Sequence, residues 1–76
     1  MPKLPALNGT QVVNALRRAG FEVCRQTGSH VILRHPEQGL TVPVPVHGGR
    51  DVPPGTIRGI IRDAGLTVDA FRELLG

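Results

Sequence analysis

Three short segments of alternating apolar and polar residues, between residues 21 and 46, set the main limit on the fold. They span 21–26, 30–35 and 40–46, and only three and four residues separate them. Such alternation is typical of a strand with one buried face. Connections this short join neighbouring antiparallel strands as hairpins. The sequence therefore predicts a three-stranded antiparallel meander with loops at 27–29 and 36–39.

Two prolines place the third strand at an edge of this sheet. Pro43 and Pro45 stand in the segment 40–46. Proline has no backbone N–H to donate to a neighbouring strand, so within sheets it is confined to edges and bulges. We therefore expect the second strand to lie in the middle of the meander.

A helix is predicted ahead of the strands. Apolar residues recur at helical spacing over 12–19, and Asn8 with Gln11 three residues later forms a weak capping box before them. Gly20 supplies the C-terminal stop. These signals together predict a helix over 9–19.

Two further helices are predicted after the strands. Pro53 and Pro54 suit a helix start, where their missing N–H groups are not needed, and an apolar stripe follows them until Gly65. Thr67 is then expected to cap a short last helix. Gly59 lies inside the second helix, where it costs roughly 1 kcal/mol against alanine.

The predicted order is α-β-β-β-α with a short C-terminal helix, and the helices cover one face of the sheet. This is an α+β layout like that of a double-stranded-RNA-binding domain. A chain of 76 residues is long enough for one small domain, so we expect a single domain over 1–76. Residues 1–7 carry two prolines and should form an extended lead-in.

Counting outward from the two loops gives the strand registers. The pairs nearest the first loop are Gln26 with His30 and Cys24 with Ile32, and the second loop pairs His30 with Pro45. The face that the helices cover then holds seven apolar residues: Phe21, Val23, Val31, Leu33, Leu40, Val42 and Val44. The open face holds Glu22, Cys24, Gln26, His30, Ile32, Arg34, Pro43, Pro45 and, at its end, His47.

Composition limits the classes of function. The formal net charge is +3, which favours an anionic partner such as nucleic acid. The single Cys24 excludes an internal disulfide and a thiolate zinc cage. The chain shows no apolar run long enough for a membrane span and no signal peptide, so we expect a cytoplasmic protein without membrane contact.

His30 is the strongest candidate for chemistry. It opens the second strand directly after a turn that contains Gly28 and Ser29, and His47 lies one diagonal step away, about 7–8 Å in an antiparallel pair. Three interpretations stay open at this point. Two histidines without a nearby carboxylate or thiolate make a poor metal site. Histidines beside arginines suit metal-free RNA cleavage, whereas a surface that only binds RNA needs the arginines alone.

Four segments resemble the HicA (YcfA-like) toxins of bacterial and archaeal toxin–antitoxin modules. They are LRRAGF at 16–21, RQTGSH at 25–30, VPVHGG at 44–49 and GTIRGIIRDAG at 55–65. The resemblance runs over nearly the whole chain. It implies a double-stranded-RNA-binding fold adapted to an mRNA endoribonuclease, which a HicB antitoxin neutralises. Position 50 is Arg where that family often has Lys, which keeps the charge.

In that family the histidine of the Gly-Ser-His motif is catalytic, and this role falls on His30. We expect substrate contacts around it from Arg25, Gly28, Ser29, His47 and Arg50, and no metal or cofactor. The sequence offers no suitably placed pair of carboxylates for metal-dependent cleavage. The alternative function is a non-catalytic RNA- or protein-binding module of the same fold.

The other histidine and the remaining arginines have simpler interpretations. His35, at a strand end on the covered face, is expected to be structural. Arg25 is predicted on the covered face but at its rim, from where a long side chain can reach outward. Four arginines are expected on solvated helix faces that attract RNA only diffusely: Arg17, Arg18, Arg58 and Arg62.

Overall fold

The computed structural model describes residues 4–75, which form an α+β fold. The elements are α1 (Gly9–Arg18), β1 (Glu22–Thr27), β2 (His30–Arg34), β3 (Thr41–Pro45), α2 (Pro54–Asp63) and α3 (Val68–Leu74). The strands form one antiparallel sheet in the order β1-β2-β3. The predicted element order is confirmed, with bounds within two residues of those expected.

The predicted capping box holds the start of α1. The backbone N–H of Asn8 donates to Gln11 Oε1 at 2.9 Å, and the N–H of Gln11 donates to Asn8 Oδ1 at 2.9 Å. The helix ends at Arg18, one residue earlier than predicted, with Ala19 as its C-cap and Gly20 in a positive φ of 100°. Gly20 therefore ends the helix as the sequence predicts.

The later helices also begin as predicted. α2 starts at Pro54 with Pro53 as its N-cap residue. The hydroxyl of Thr67 accepts a hydrogen bond from the N–H of Ala70 at 3.1 Å and so caps α3. Before α1, the predicted lead-in 1–7 lies partly outside the described residues. Within it Leu7 is buried, and its carbonyl accepts a hydrogen bond from the N–H of Val52 at 2.7 Å.

The register between β2 and β3 is the predicted one. His30 lies opposite Pro45, Leu33 opposite Val42, and the pairing continues without a break. The side chains of Leu33 and Val42 are fully buried beneath the helices. The core cluster consists of fifteen apolar residues drawn from the strands, the helices and the connections between them: Leu7, Val12, Val13, Ala15, Leu16, Phe21, Leu33, Val42, Val44, Val52, Ile57, Ile60, Ile61, Ala64 and Phe71.

The register between β1 and β2 corrects the prediction in part. Val23 lies opposite Leu33 as expected, but the ladder then shifts by one residue between Val23 and Arg25, which is a β-bulge at Cys24. Beyond the bulge Thr27, rather than Gln26, pairs with His30. The loop therefore has two residues instead of three, because the strand absorbs the extra residue.

The bulge also exchanges the faces of two side chains. Arg25 lies opposite Ile32 and so shares its open face, while Gln26 lies opposite Val31 on the covered side. The predictions of Arg25 on the covered face and of Gln26 on the open face were both wrong. Cys24, at the bulge, does not pair with Ile32 as predicted, and its side chain is exposed. We use "open face" for the side of the sheet that carries His30, Ile32 and Arg34.

Val23 belongs to the predicted apolar face, but the helices leave it uncovered. It lies opposite the buried Leu33, yet it is 47% exposed. All six residues of β1 are exposed, so the helices leave this whole edge strand uncovered. The alternation therefore predicts the face of Val23 correctly but its burial wrongly.

Candidate active site

A two-residue turn delivers His30 to the start of β2. Gly28 has a φ of 56°, and Ser29 has a negative φ, as in the type II′ turns that fit the twist of a hairpin. A side chain at Gly28 would meet no atom within 4 Å, so glycine is needed for the conformation and not to avoid crowding. The turn leaves His30 exposed at the open face.

A second turn lies at the same end of the sheet. The N–H of Val46 donates to the carbonyl of Ser29 at 2.6 Å, so pairing continues one residue past the end of β3. His47 follows immediately, and its carbonyl accepts a hydrogen bond from the N–H of Arg50 at 3.1 Å. Gly48, with a φ of 59°, makes this turn possible.

These backbone contacts place five of the predicted site residues at the same end of the sheet. The His30 cluster consists of Gly28, Ser29, His30, His47 and Arg50. Ser29 is half-buried, and the other four are exposed. The sixth predicted residue, Arg25, stands apart from the turns but lies on the same face. Since it is opposite Ile32, it is a diagonal neighbour of His30, about 7–8 Å away in an antiparallel pair.

The sequence interpretation missed Thr27 as a neighbour of His30. It places this residue in the loop, but in the structure Thr27 ends β1 directly opposite His30. Its hydroxyl side chain is therefore on the open face beside the imidazole. The signal was present in the sequence, since Gly-Ser between two alternating segments is typical of a two-residue hairpin loop.

The arrangement favours a substrate that lies across a surface. His30 is exposed at the start of the central strand, where its imidazole is accessible to a bound group as a proton donor or acceptor. Arg25, on the same face, and Arg50, in the turn at the same end of the sheet, carry positive charges that can stabilise a bound anionic group. A groove of about 870 Å³ lies elsewhere, between α1 and the start of β1, and contains no residue of the His30 cluster: its lining is Asn14, Arg17, Arg18, Phe21, Glu22 and Val23.

Within residues 4–75, no three His, Cys, Asp or Glu side chains come close enough together to hold a metal ion. Over the same residues, no helix has both the length and the apolar character that a membrane crossing requires.

His35 has a structural position, as predicted. Its ring meets Phe21 edge to face, with 5.2 Å between ring centroids. Its Nδ1 accepts a hydrogen bond from the N–H of Gln38 at 3.2 Å, so the proton of the neutral ring is on Nε2. The backbone of His35 also closes the loop to Leu40. This histidine therefore shapes the opposite end of the hairpin from His30.

Arg18 differs from the other three arginines predicted on solvated helix faces. All four are exposed, as predicted, but Arg18 Nη1 donates a 2.6 Å hydrogen bond to the carbonyl of Leu74. That carbonyl lies at the C-terminal end of α3, where a positive charge is favourable. Arg18 thus fastens α1 to α3, and the prediction of a purely diffuse role is wrong for it.

A family model described as "HicA toxin of bacterial toxin-antitoxin" matches residues 9–66 of the 76-residue chain. The chain belongs to the HicA toxin family. This HicA toxin is thus the toxin component of a toxin–antitoxin module and has an antitoxin as its partner. The matched region runs from the start of α1 past the end of α2 and includes Arg25 and the whole His30 cluster. No curated protein matches the chain.

Proposed function

We propose that this HicA toxin is a metal-independent endoribonuclease that cleaves mRNA, with His30 as its general acid and base. The observation that carries the proposal is the placement of His30. It is exposed on the open face at the start of the central strand, between Thr27 on one neighbouring strand and Pro45 on the other, in a chain of a toxin family. An imidazole at such a position meets both requirements for proton transfer, access and reach.

The reaction that fits these groups is an internal transfer at phosphorus. His30 removes the proton from a ribose 2′-OH, and the 2′ oxygen forms a bond to the adjacent phosphorus. The bond from phosphorus to the 5′ oxygen of the next nucleotide breaks, and that oxygen takes up the proton from His30. The products are a 2′,3′-cyclic phosphate and a 5′-hydroxyl end, so no water is consumed and the proton count balances.

The neighbours of His30 have supporting roles in this proposal. Arg25 and Arg50 stabilise the negative charge that develops on the phosphate oxygens, and stabilisation of this kind lowers the barrier of many enzyme reactions more than any other effect. Ser29 and the bare backbone at Gly28 let the phosphodiester approach closely. His47, one residue beyond the Ser29–Val46 hydrogen bond, contacts the substrate from the other turn.

The proposed partners follow from the site and the family. The substrate is mRNA in the cytoplasm, and its cleavage stops translation. The antitoxin is of the HicB type and inhibits by covering the His30 cluster. The toxin has a formal net charge of +3 and an exposed site, so an acidic surface on the antitoxin would be complementary to it.

The deciding experiment is cleavage of a mixed-sequence RNA in excess EDTA by the native chain and by His30→Ala. Circular dichroism must first show that the variant is folded. We expect the native chain to leave 2′,3′-cyclic phosphate ends and the variant to lose at least about 100-fold in rate, the usual contribution of a general acid–base group.

Three other results would contradict the proposal in different ways. Equal cleavage by both proteins places the active centre elsewhere. Cleavage that EDTA abolishes makes the enzyme metal-dependent. Binding of RNA without cleavage by either protein supports the alternative, a non-catalytic RNA-binding module.

A further inference from the structure

A row of three side chains crosses the open face one step from His30. Arg25 pairs with Ile32 across β1 and β2, and Ile32 pairs with Pro43 across β2 and β3. Directly opposite residues share a face, so the three side chains stand side by side. The row is two residues along β2 from His30, which is about 6.6 Å at the rise of a strand. That distance is comparable to the separation of neighbouring phosphates in a single nucleic-acid strand.

The row combines a cation with an apolar floor. Arg25 and Pro43 are exposed and Ile32 is half-buried. A nucleotide has the complementary composition, since it carries an anionic phosphate beside a flat base. Unpaired bases stack on aromatic side chains and on guanidinium planes, and they also lie between apolar side chains in enzyme pockets. Both phenylalanines, Phe21 and Phe71, are buried in the core, so an aliphatic floor is what this face offers a base.

Charge limits how far such binding extends along the sheet. The next row holds Glu22 opposite Arg34, with Thr41 beyond. The carboxylate of Glu22 offsets the positive charge of Arg34 there. The side of the face with unopposed positive charge is therefore the part nearest His30. A long polyanion gains little beyond the row of Arg25.

We propose that the row Arg25–Ile32–Pro43 seats the nucleotide next to the scissile phosphate of a single-stranded RNA. Arg25 holds the phosphate, while Ile32 and Pro43 support the base or ribose. Single-stranded RNA is the occupant, because a duplex keeps its base faces stacked and inaccessible. The inference rests on the proposed function for the identity of the scissile group, but the binding it describes does not need cleavage.

The bulge at Cys24 supplies a sharp control for this assignment. Because of it, Arg25 lies on the open face and Gln26 on the covered side. The double variant Arg25→Gln/Gln26→Arg keeps the net charge and the composition but moves the guanidinium to the other face. A diffuse electrostatic attraction is unchanged by this exchange, whereas a specific phosphate contact is lost.

The test measures binding to a fluorescein-labelled single-stranded RNA of twelve nucleotides by anisotropy, in the His30→Ala background so that the probe stays intact. We expect Arg25→Ala and the exchange variant each to weaken binding about five- to tenfold, the scale of one lost specific contact. Arg58→Ala, an exposed arginine on α2, removes the same charge and should change affinity less than about twofold. Ile32→Thr should weaken binding without altering its salt dependence, whereas Arg25→Ala should lower the salt slope by about one.

Several outcomes would overturn the inference. The row has no specific role if the exchange variant binds like its parent, or if Arg58→Ala weakens binding as much as Arg25→Ala. The proposed binding of single-stranded RNA is refuted if the protein binds the labelled strand and its duplex with equal affinity. It is also refuted if the protein binds no RNA. If the variants shift affinity as expected but the native chain cleaves no RNA, the seat stands and the proposed function fails.

Discussion

Arg25 lies directly opposite Ile32 on the open face of the sheet, one diagonal step from His30. A regular strand would have turned the Arg25 side chain toward the helices, because a shift of one residue reverses every face that follows. The bulge at Cys24 supplies that shift. A backbone irregularity of one residue thus adds a cation to the face on which the candidate catalytic histidine is exposed.

His35→Ala should destabilise the fold without removing the chemistry. The substitution deletes the edge contact with Phe21 and the acceptor for the N–H of Gln38. Together these losses should lower the free energy of unfolding by about 1–2 kcal/mol. Urea denaturation gives this value, and initial cleavage rates below the transition should stay near those of the native chain. A variant of full stability, or one that is folded but inactive, would contradict the structural role.

Arg18 and Arg17 form a matched pair for the contact between α1 and α3. Only Arg18 donates to the carbonyl of Leu74, although both arginines are exposed in the last turn of α1. Arg18→Ala should lower the free energy of unfolding by about 0.3–1 kcal/mol, the range for an exposed cation at a helix C-terminus. Arg17→Ala should cost less than half of that. Thermal melts at low and high salt measure both, and equal effects would show that the hydrogen bond contributes nothing.

The sequence predicts the hairpin between β2 and β3 better than the one between β1 and β2, for a physical reason. The loop 36–39 holds one proline, one glycine and two polar residues and is bounded by alternating residues, so only one register buries Leu33 and Val42 together. The bulge at Cys24 has no comparable signal. The residues of β1 that follow it, 25–27, are polar on both faces and exposed, so no buried side chain fixes their register from the pattern alone.

The same difference applies to the candidate site. His30 and the turn before it are predictable, because Gly-Ser between strands specifies a tight turn. The face of Arg25 is not, because it depends on the bulge. The exposure of Val23 is not predictable either, because it depends on whether a helix covers that part of β1, which the alternation of one strand does not encode.

Gly59→Ala should stabilise the protein. Gly59 lies inside α2, and the nearest atom to an added Cβ is Arg62 Nη2 at 3.9 Å, which is an ordinary contact. Alanine at a compatible helix position gains about 0.5–1 kcal/mol over glycine. Gly65→Ala is the control of opposite sign, because Gly65 has a φ of 72° that a side chain disfavours. The expected order of urea midpoints is Gly59→Ala, native chain, Gly65→Ala, and a reversed order would contradict the backbone description.

Gly9→Ala tests the close contact between α1 and the end of β3, which lies beside the candidate site. A Cβ at Gly9 would overlap the carbonyl oxygen of Pro45 and come within 2.8 Å of Val46 Cα. Both are backbone atoms, so the end of β3 must move to make room. Pro45 lies opposite His30, and the N–H of Val46 donates a hydrogen bond to the carbonyl of Ser29. We expect a cost of about 1–3 kcal/mol, as for other forced overpacking, and a slower cleavage rate in the fraction that remains folded.

Gly55→Ala is the matched control for this prediction. An added Cβ at Gly55, in the first turn of α2, meets no atom within 4 Å. It should leave both the urea midpoint and the cleavage rate close to those of the native chain. If Gly9→Ala is destabilised but its folded fraction cleaves at the native rate, the end of β3 can shift without displacing His30. If Gly9→Ala is as stable as Gly55→Ala, the described contact between Gly9 and the end of β3 is wrong.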